Sequence, residues 1–277
     1  MRERLSGQRI ALFESRLAEE ICELVRRGGG VPVCVPAVRE RRRAAGPEVD
    51  RLLRELAAEA HPLFAFSTGV GTAALFEEAR ALRRSADLRN ALSRALIVCR
   101  GPKPVAALHK EGITAALRAR APYTTAEFVE ALGSVEVRDR MAVLVHYGER
   151  NPEVASALEP RGARLRELML YEWELPEDTS ALAGIVEDLA RGGFAAAAFT
   201  TQIQARHLLQ IAGELGRRGE LVQALRDRVV VAAVGPTCAR VLSGLGIPPQ
   251  VVPQTPKMGA MLNALVARLA GEEVLPR

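Results

Sequence analysis

The sequence predicts an α/β protein built from two flavodoxin-like domains, each a parallel sheet flanked by helices. Apolar runs of roughly 5–8 residues alternate with helical patterns of roughly 10–16 residues, as expected for repeated βαβ units. Two of the runs, "AAAAF" and "VVVAAV", are apolar throughout, which is typical of strands that helices cover on both faces. The chain has 277 residues, 48% hydrophobic and 4% aromatic, so it can form two aliphatic cores of ordinary domain size.

An internal repeat sets the order of these elements. Each copy contains the same three segments in the same order. The first is a strand, a helix and a second strand, and the second is a strand, two hydroxyl residues and a helix. The third is a strand, Gly-Pro and a helix that ends at Gly-Ile. The three pairs of matching segments are 9–16 with 141–150, 62–79 with 194–212, and 96–113 with 230–247. We therefore interpret the chain as two diverged copies, roughly 9–140 and 141–274.

The charge of the chain comes almost wholly from arginine. The formal net charge is +5, and only three of the 38 basic residues are lysine. Arginine suits planar anions such as carboxylate and phosphate, although genome bias or thermal adaptation would give the same composition. The basic run "VRERRRAAGPE" (38–48) has no interleaved aromatic residues and contains Gly-Pro, which favours a solvated linker over a nucleic-acid site.

The cysteines and the N-terminus predict a cytoplasmic protein. The four cysteines, at positions 22, 34, 99 and 238, form no C-x-x-C pair and show no metal-ligand spacing, so we expect reduced thiols. The stretch "MRERLSGQRIALFESR" lacks the apolar run of a signal peptide, and no segment is apolar enough to span a membrane. We therefore expect neither a nucleic acid nor a membrane as a partner.

Four strand ends are candidate ligand-binding positions, because ligands of parallel sheets bind where strands end and helices begin. Free backbone N–H groups and the positive end of the helix dipole can hold an anion there. Alternatively, the serine and threonine side chains at these turns serve only as helix N-caps. Four such turns in two repeats favour a ligand with several carboxylates. The candidate residues are Ser67, Thr68 and Gly69; Gly101, Pro102 and Lys103; Thr200, Thr201 and Gln202; and Gly235, Pro236 and Thr237.

Standard catalytic signatures are absent from the sequence. There is no P-loop, no complete G-x-G-x-x-G fingerprint, no G-x-S-x-G elbow and no H-E-x-x-H pair. The segment "GVGTAA" (69–74) lacks the third glycine of a nucleotide-binding turn. The four histidines, at 61, 109, 146 and 207, are scattered, which favours surface or packing roles over metal binding. The sequence therefore predicts no metal site.

The order of several motifs resembles the uroporphyrinogen-III synthase family. The C-terminal stretch, from "FTTQIQARHLL" through "VVVAAVGPTCARVLSGLG" to the helix after Thr255-Pro256-Lys257, is similar to the family's signature region. The segment "LMLYEW" (168–173) resembles the family's tyrosine stretch, and "FESR" (13–16) resembles its first strand. The resemblance covers the whole chain, including the duplication.

The resemblance implies two α/β domains that face a cleft and are joined by two strands. Carried over, residues 1–37 and 176–277 form one discontinuous domain, and residues 38–175 form the other. The linkers would be "VPVCVPAV" (31–38) and "RLRELMLYEWEL" (164–175), both extended apolar runs. A monomer is the expected oligomeric state.

The resemblance also implies a lyase that converts hydroxymethylbilane into uroporphyrinogen III, with inversion of ring D and loss of water and without a metal or organic cofactor. Tyr171 matches the tyrosine that assists departure of the substrate hydroxyl, although it could instead pack structurally in the linker. Thr237 and Thr200-Thr201 match the family's turns, and Arg16 and Arg150 follow matching strands. Lys103 departs from the family pattern, which often has threonine there, and can serve a substrate carboxylate.

Two other interpretations remain open at this stage. A non-catalytic, two-lobed sensor or carrier of an anionic ligand would use the same turns. A nucleotide-binding α/β enzyme is a third reading, which the missing phosphate loop weakens. The presence of Tyr171 and the absence of an appended DNA-binding segment favour the enzyme.

Overall fold

A computed structural model describes residues 5–146 and 148–271. By its internal contacts the chain divides into two compact units, which we call the first unit (1–39 and 174–277) and the second unit (40–173). The boundaries expected from the sequence, 37/38 and 175/176, lie two residues from these. That these units are the two domains of the family stays a prediction.

The described residues form strands and helices in the alternation that the sequence predicts. The strands are β1 (Arg9–Leu12), β2 (Val31–Cys34), β3 (Arg39–Arg42), β4 (Leu63–Phe66), β5 (Leu96–Cys99), β6 (Leu117–Arg118), β7 (Met141–Val145), β8 (Arg164–Leu168), β9 (Tyr171–Glu174), β10 (Ala196–Phe199) and β11 (Val230–Ala233). The helices are α1 (Ala18–Arg27), α2 (Gly46–Ala57), α3 (Gly69–Ala81), α4 (Ser85–Ser93), α5 (Pro102–Lys110), α6 (Thr125–Gly133), α7 (Pro152–Leu158), α8 (Ser180–Ala190), α9 (Gln202–Glu214), α10 (Arg218–Asp227), α11 (Pro236–Gly244) and α12 (Met258–Leu269). None of the described helices is long and apolar enough to cross a membrane.

The first unit contains a parallel sheet in the order β2-β1-β10-β11. Alternate residues of its strands face opposite cores. Phe13 and Phe199 belong to one core with α8, α9, α10 and α11, whereas Ile10 and Ala198 belong to the other with α1 and α12. This two-sided burial explains why the central strand β10 and its neighbour β11 are apolar at every position.

The second unit contains a five-stranded parallel sheet in the order β6-β5-β4-β7-β8. Its two faces again carry separate cores. Phe64 and Phe66 pack with α2, α3, α4 and α5, whereas Ala65 and Leu144 pack with α6 and α7. The predicted fold class, parallel sheets flanked by helices, is therefore confirmed.

The strand registers reveal how the two sequence copies are distributed over the sheets. In the first unit Ile10 pairs with Ala196, and in the second unit Ala142 pairs with Leu63, the equivalent position of the other copy. Thus β1 and β2 of the first copy share a sheet with β10 and β11 of the second copy. Conversely, β7 and β8 of the second copy share a sheet with β4, β5 and β6 of the first.

The two linkers expected from the sequence were wrong in extent. Residues 31–34 form β2 at the edge of one sheet, and 164–168 form β8 at the edge of the other. The chain passes between the units in β3 and β9, which pair as a two-stranded sheet. An extended apolar edge strand has the sequence pattern of an extended linker, so the pattern could not separate them.

The basic run 38–48 is neutralised within the protein. Its four arginines all form ion pairs with acidic side chains, and the partners include Glu174 for Arg39 and Glu172 for Arg41 across β3 and β9. Arg42 pairs with Glu77 and Glu78, and Arg43 pairs with Glu48. That this run is a linker rather than a nucleic-acid site stays a prediction.

Candidate functional site

The candidate residues of the second unit lie at the carboxyl ends of neighbouring parallel strands. Ser67 to Gly69 follow β4, Gly101 to Lys103 follow β5, and Arg150 lies beyond the end of β7. Ser67 N–H donates to Val145 O (3.2 Å), which ties the end of β4 to the end of β7. The carboxyl edge of this sheet therefore gathers residues that are far apart in sequence.

Thr68 and Tyr171 form a buried hydroxyl pair. Thr68 is the N-cap of α3, with an extended backbone, and its Oγ1 accepts from Gly71 N–H (3.0 Å). The same oxygen lies 3.0 Å from Tyr171 Oη. Thr68 is 6% exposed and Tyr171 4% exposed. The structure therefore brings together two residues that the sequence singled out separately.

The two glycine turns of this unit are built by close backbone contacts. A Cβ atom on Gly69 would lie 2.9 Å from Lys103 O, so only glycine lets the starts of α3 and α5 approach this closely. Gly101 packs against the ring of Tyr123, which a Cβ atom would meet at 3.3 Å. The Lys103 side chain is exposed, and no acidic residue in the described part of the chain pairs with it. Its predicted role toward a carboxylate stays a prediction.

Arg150 is held by Glu167 in a two-pronged ion pair. Its Nε and Nη2 donate to Glu167 Oε2 (2.8 Å) and Oε1 (2.6 Å). The hydrogen bonds from Arg150 lower the pKa of Glu167, and the neighbouring His146 adds to this effect. Because 63% of the Arg150 side chain is exposed, its remaining donors can still reach a ligand.

His146 completes this cluster and was not predicted as a site residue. Its ring is fully buried; Nδ1 accepts from Asn151 N–H (3.2 Å), so the proton of the neutral ring lies on Nε2, which donates to Glu167 Oε2 (2.6 Å). Burial lowers the pKa of His146 and outweighs the opposing effect of Glu167. Only its position at the end of β7 hinted at this role.

In the first unit, the turn after β10 is occupied by the protein's own side chains. Gln204 Oε1 accepts from Thr200 N–H (2.8 Å) and Thr201 N–H (3.2 Å), the groups predicted to receive an anion. The Thr200 hydroxyl donates to the Glu14 carboxylate. Gln204 and Glu14 were not predicted as site residues, although T-x-x-Q at 201–204 is a capping-box pattern.

The other candidates of the first unit lie at open turns. Gly235, in extended backbone, precedes α11; a Cβ atom there would lie 2.7 Å from Pro256 Cβ, so this loop packs on the turn. Pro236 and Thr237 are exposed on the first turn of α11. The remaining candidates are the exposed Arg16 after β1 and the half-buried Gln202 after β10.

Two of the cysteines near these turns are buried, Cys99 in β5 and Cys238 in α11. Burial raises the pKa of Cys99 and of Cys238 to about 12, which keeps both thiols protonated. Among the described residues, no group of three or more His, Cys, Asp or Glu side chains is arranged to hold a metal ion.

Comparisons with known proteins place the chain in one family. The model of the family described as uroporphyrinogen-III synthase HemD matches residues 19–263. The Bacillus subtilis (strain 168) protein YjjA, described as uncharacterised, is 30% identical over 261 residues, which cover 94% of this chain and 96% of YjjA.

Solved structures agree with that match. The structure of a mutant uroporphyrinogen III synthase from the extremely thermophilic bacterium Thermus thermophilus has 30% sequence identity and a TM-score of 0.77, and the match covers 96% of this chain and 100% of that chain. The uroporphyrinogen-III synthetase of Helicobacter pylori 26695, at 14% identity and a TM-score of 0.53 over 95% of this chain and 99% of that one, supports the fold alone. Because the family model spans most of the sequence, this chain belongs to the uroporphyrinogen-III synthase family.

Proposed function

We propose that this protein is a uroporphyrinogen-III synthase, a lyase that cyclises hydroxymethylbilane to uroporphyrinogen III with inversion of ring D and loss of water. Family membership and the likeness to the Thermus synthase support this reaction. The observation that carries it is the Tyr171 phenol, held by Thr68 at the carboxyl edge of the second unit's sheet.

In this proposal Tyr171 acts as the general acid. The ring A hydroxymethyl group loses its hydroxyl, which takes the phenol proton and leaves as water; the electron pair of the pyrrole nitrogen stabilises the resulting azafulvene cation. The substituted carbon of ring D then attacks this electrophile to give a spiro-pyrrolenine. Fragmentation and recombination, with loss of a proton from the macrocycle, regenerate the phenol and complete the product.

Binding of the substrate requires cations and backbone donors, because hydroxymethylbilane carries eight carboxylates. Lys103 and Arg150 in the second unit, and Arg16 in the first, would hold carboxylates directly. The exposed first turn of α11, with Thr237, offers the positive end of a helix dipole. The turn at Thr200 and Thr201 contributes less, since Gln204 already occupies its N–H groups.

A binding protein for an anionic ligand is the second candidate function. It is favoured by the low exposure of Tyr171, 4%. Such a protein would use the same cations but would not need the phenol proton. Both proteins would therefore bind the same ligand, but only the enzyme would form uroporphyrinogen III.

The isomer of the product distinguishes them. Hydroxymethylbilane cyclises unaided to the type I isomer, because the free terminal carbon of ring D is the more accessible nucleophile. An enzyme must hold ring D so that its substituted carbon meets the electrophile. Purified protein, assayed without added metal or cofactor, should yield chiefly uroporphyrinogen III, separated from type I by chromatography after oxidation. Type I alone, from folded protein that binds the bilane, would contradict the enzyme and support the binding protein.

A further inference from the structure

The Thr68 hydroxyl has a limited set of hydrogen-bond partners. Oγ1 accepts from Gly71 N–H, because Thr68 caps α3, and it contacts Tyr171 Oη at 3.0 Å. Within the described ranges, no other acceptor lies within hydrogen-bond distance of this hydroxyl. The surrounding start of α3 presents N–H donors and no free carbonyl groups.

This arrangement favours one direction for the hydrogen bond between the two hydroxyls. If Tyr171 donated to Thr68, Oγ1 would accept twice, and the Thr68 proton would lie without an acceptor in a site that is only 6% exposed. If Thr68 donates to Tyr171 Oη, both lone-pair and proton positions of Thr68 are satisfied. The phenol proton then points away from Thr68.

We propose that Thr68 is a positioning residue for Tyr171: its hydroxyl, fixed as the N-cap of α3, donates to Tyr171 Oη and holds the phenol oxygen in place. This inference rests on the proposed function. When the phenol proton passes to the departing hydroxyl, the Thr68 hydrogen bond and the positive end of the α3 dipole stabilise the negative charge left on Oη. Thr68 itself exchanges no proton with the substrate.

A double-mutant cycle of Thr68→Val and Tyr171→Phe tests this role, with the rate of uroporphyrinogen III formation from hydroxymethylbilane as the readout. Thr68→Val should lower kcat about tenfold and leave KM within about twofold, whereas Thr68→Ser, which keeps the hydroxyl, should stay within about twofold of the parent. The double variant should be no slower than Tyr171→Phe alone, since Thr68 acts only through the phenol.

Thr124→Val is the matched control. Thr124 caps α6 in the same unit, with its hydroxyl on Glu127 rather than on a tyrosine. It should show a similar loss of thermal stability without the loss of kcat. If Thr68→Val does not fold, Thr68→Asp replaces it, because aspartate can cap α3 but has no proton to donate to Tyr171.

Each outcome decides between the roles. If the rate losses of the two single variants multiply in the double variant, or if Thr68→Val changes only KM, then Thr68 contacts the substrate or only supports the fold. Either result would overturn the inference. A wild-type protein that forms no uroporphyrinogen III would instead overturn the proposed function. A wild type that forms it, with Thr68→Val equally fast, would remove the inference alone.

Discussion

The carboxylate of Glu167 accepts hydrogen bonds from two side chains, the buried, neutral imidazole of His146 and the exposed, charged guanidinium of Arg150. The neutral imidazole satisfies both of its ring nitrogens, because Nδ1 accepts from Asn151 N–H. A second proton on the ring would displace Asn151, the N-cap of α7. Geometry and burial therefore both keep His146 neutral.

This neutrality predicts a pH dependence of stability. Burial lowers the pKa of His146 in the folded protein below its ordinary value of about 6.5, so the unfolded chain binds the extra proton first. The free energy of unfolding should thus be at its full value above about pH 6.5 and fall as the pH drops toward the folded pKa. Urea unfolding at about pH 7.5 and about pH 5.5 measures the difference.

His146→Gln should abolish that difference, since glutamine keeps a donor for Glu167 but does not titrate. The exposed His109→Gln should retain it and serves as the control. The lowered pKa of Glu167 acts at lower pH, below its ordinary value of about 4.5, and so lies outside this window. An unchanged pH dependence in His146→Gln would assign the effect to another group.

Tyr171→Phe removes only the phenol oxygen. We expect the turnover of hydroxymethylbilane to fall at least about tenfold, because the proposed general acid is lost. The free energy of unfolding should fall by about 1–3 kcal/mol, because the buried Thr68 hydroxyl loses its acceptor while Oγ1 keeps its bond from Gly71 N–H. Steady-state kinetics and urea unfolding measure the two effects. Unaltered turnover would assign Tyr171 a structural role.

At this scale the sequence predicted individual residues better than their contacts. Thr68 followed from its place at a strand end and Tyr171 from the family resemblance, but nothing in the sequence shows that residues 103 positions apart share a hydrogen bond. Gln204 could have been predicted, because a capping box depends only on local spacing. Glu167 could not, since its partners come from another strand and loop.

At the scale of single elements, glycines inside helices without packing neighbours should limit stability. Gly184 is exposed in the middle of α8, and a Cβ atom there would meet nothing within 4 Å. Gly184→Ala should therefore raise the free energy of unfolding by roughly 0.5–1 kcal/mol, as the unfolded chain loses conformational freedom. Urea unfolding at neutral pH tests this, and a lower stability would contradict it.

Gly148 shows the opposite case. Its φ is +66°, and a Cβ atom would lie 2.7 Å from the ring of Trp173. Gly148→Ala should destabilise the protein by at least about 1–2 kcal/mol from the backbone alone. Gly112→Ala is the control, because Gly112 has a similar φ of +73° with no neighbour within 4 Å. The excess loss in Gly148→Ala measures the clash, and equal losses would show that Trp173 yields freely.

Element boundaries were the least predictable feature of the fold. Strands β2 and β8 were taken for linkers because they are apolar, extended and next to the true crossing strands. An edge strand pairs with a neighbour on one side only, and its sequence does not show on which side or whether that neighbour exists. The β3 strand, by contrast, is charged, and its ion pairs with residues of β9 belong to tertiary structure.

At the scale of the whole molecule, the sequence predicted the duplication, but its repeat pattern did not show that each sheet combines strands from both copies. Both copies carry the same register, so β4 pairs with β7 as β10 pairs with β1. Matching strands of the two copies pair in the same way. The repeat pattern therefore cannot show whether a strand pairs with a strand of its own copy or of the other copy. The family resemblance supplied that information, because it implied a discontinuous domain.

The second unit is one continuous stretch of chain, and we therefore predict that it folds without the first unit. The five strands of its sheet and both of its cores lie within residues 40–173, and no described residue of the first unit belongs to either core. A fragment of residues 38–175 also keeps the β3 and β9 pair. It should unfold in a single cooperative urea transition.

Trp173, the single tryptophan, reports on this unit because it packs on Gly148 and lies edge-on to Tyr171 at 6.4 Å between ring centroids. Its fluorescence and far-ultraviolet circular dichroism should give coincident transitions in the fragment. The Gly148→Ala change, which acts within the unit, should destabilise the fragment as much as the full chain. A fragment without cooperative unfolding would show that the second unit needs the rest of the protein to fold.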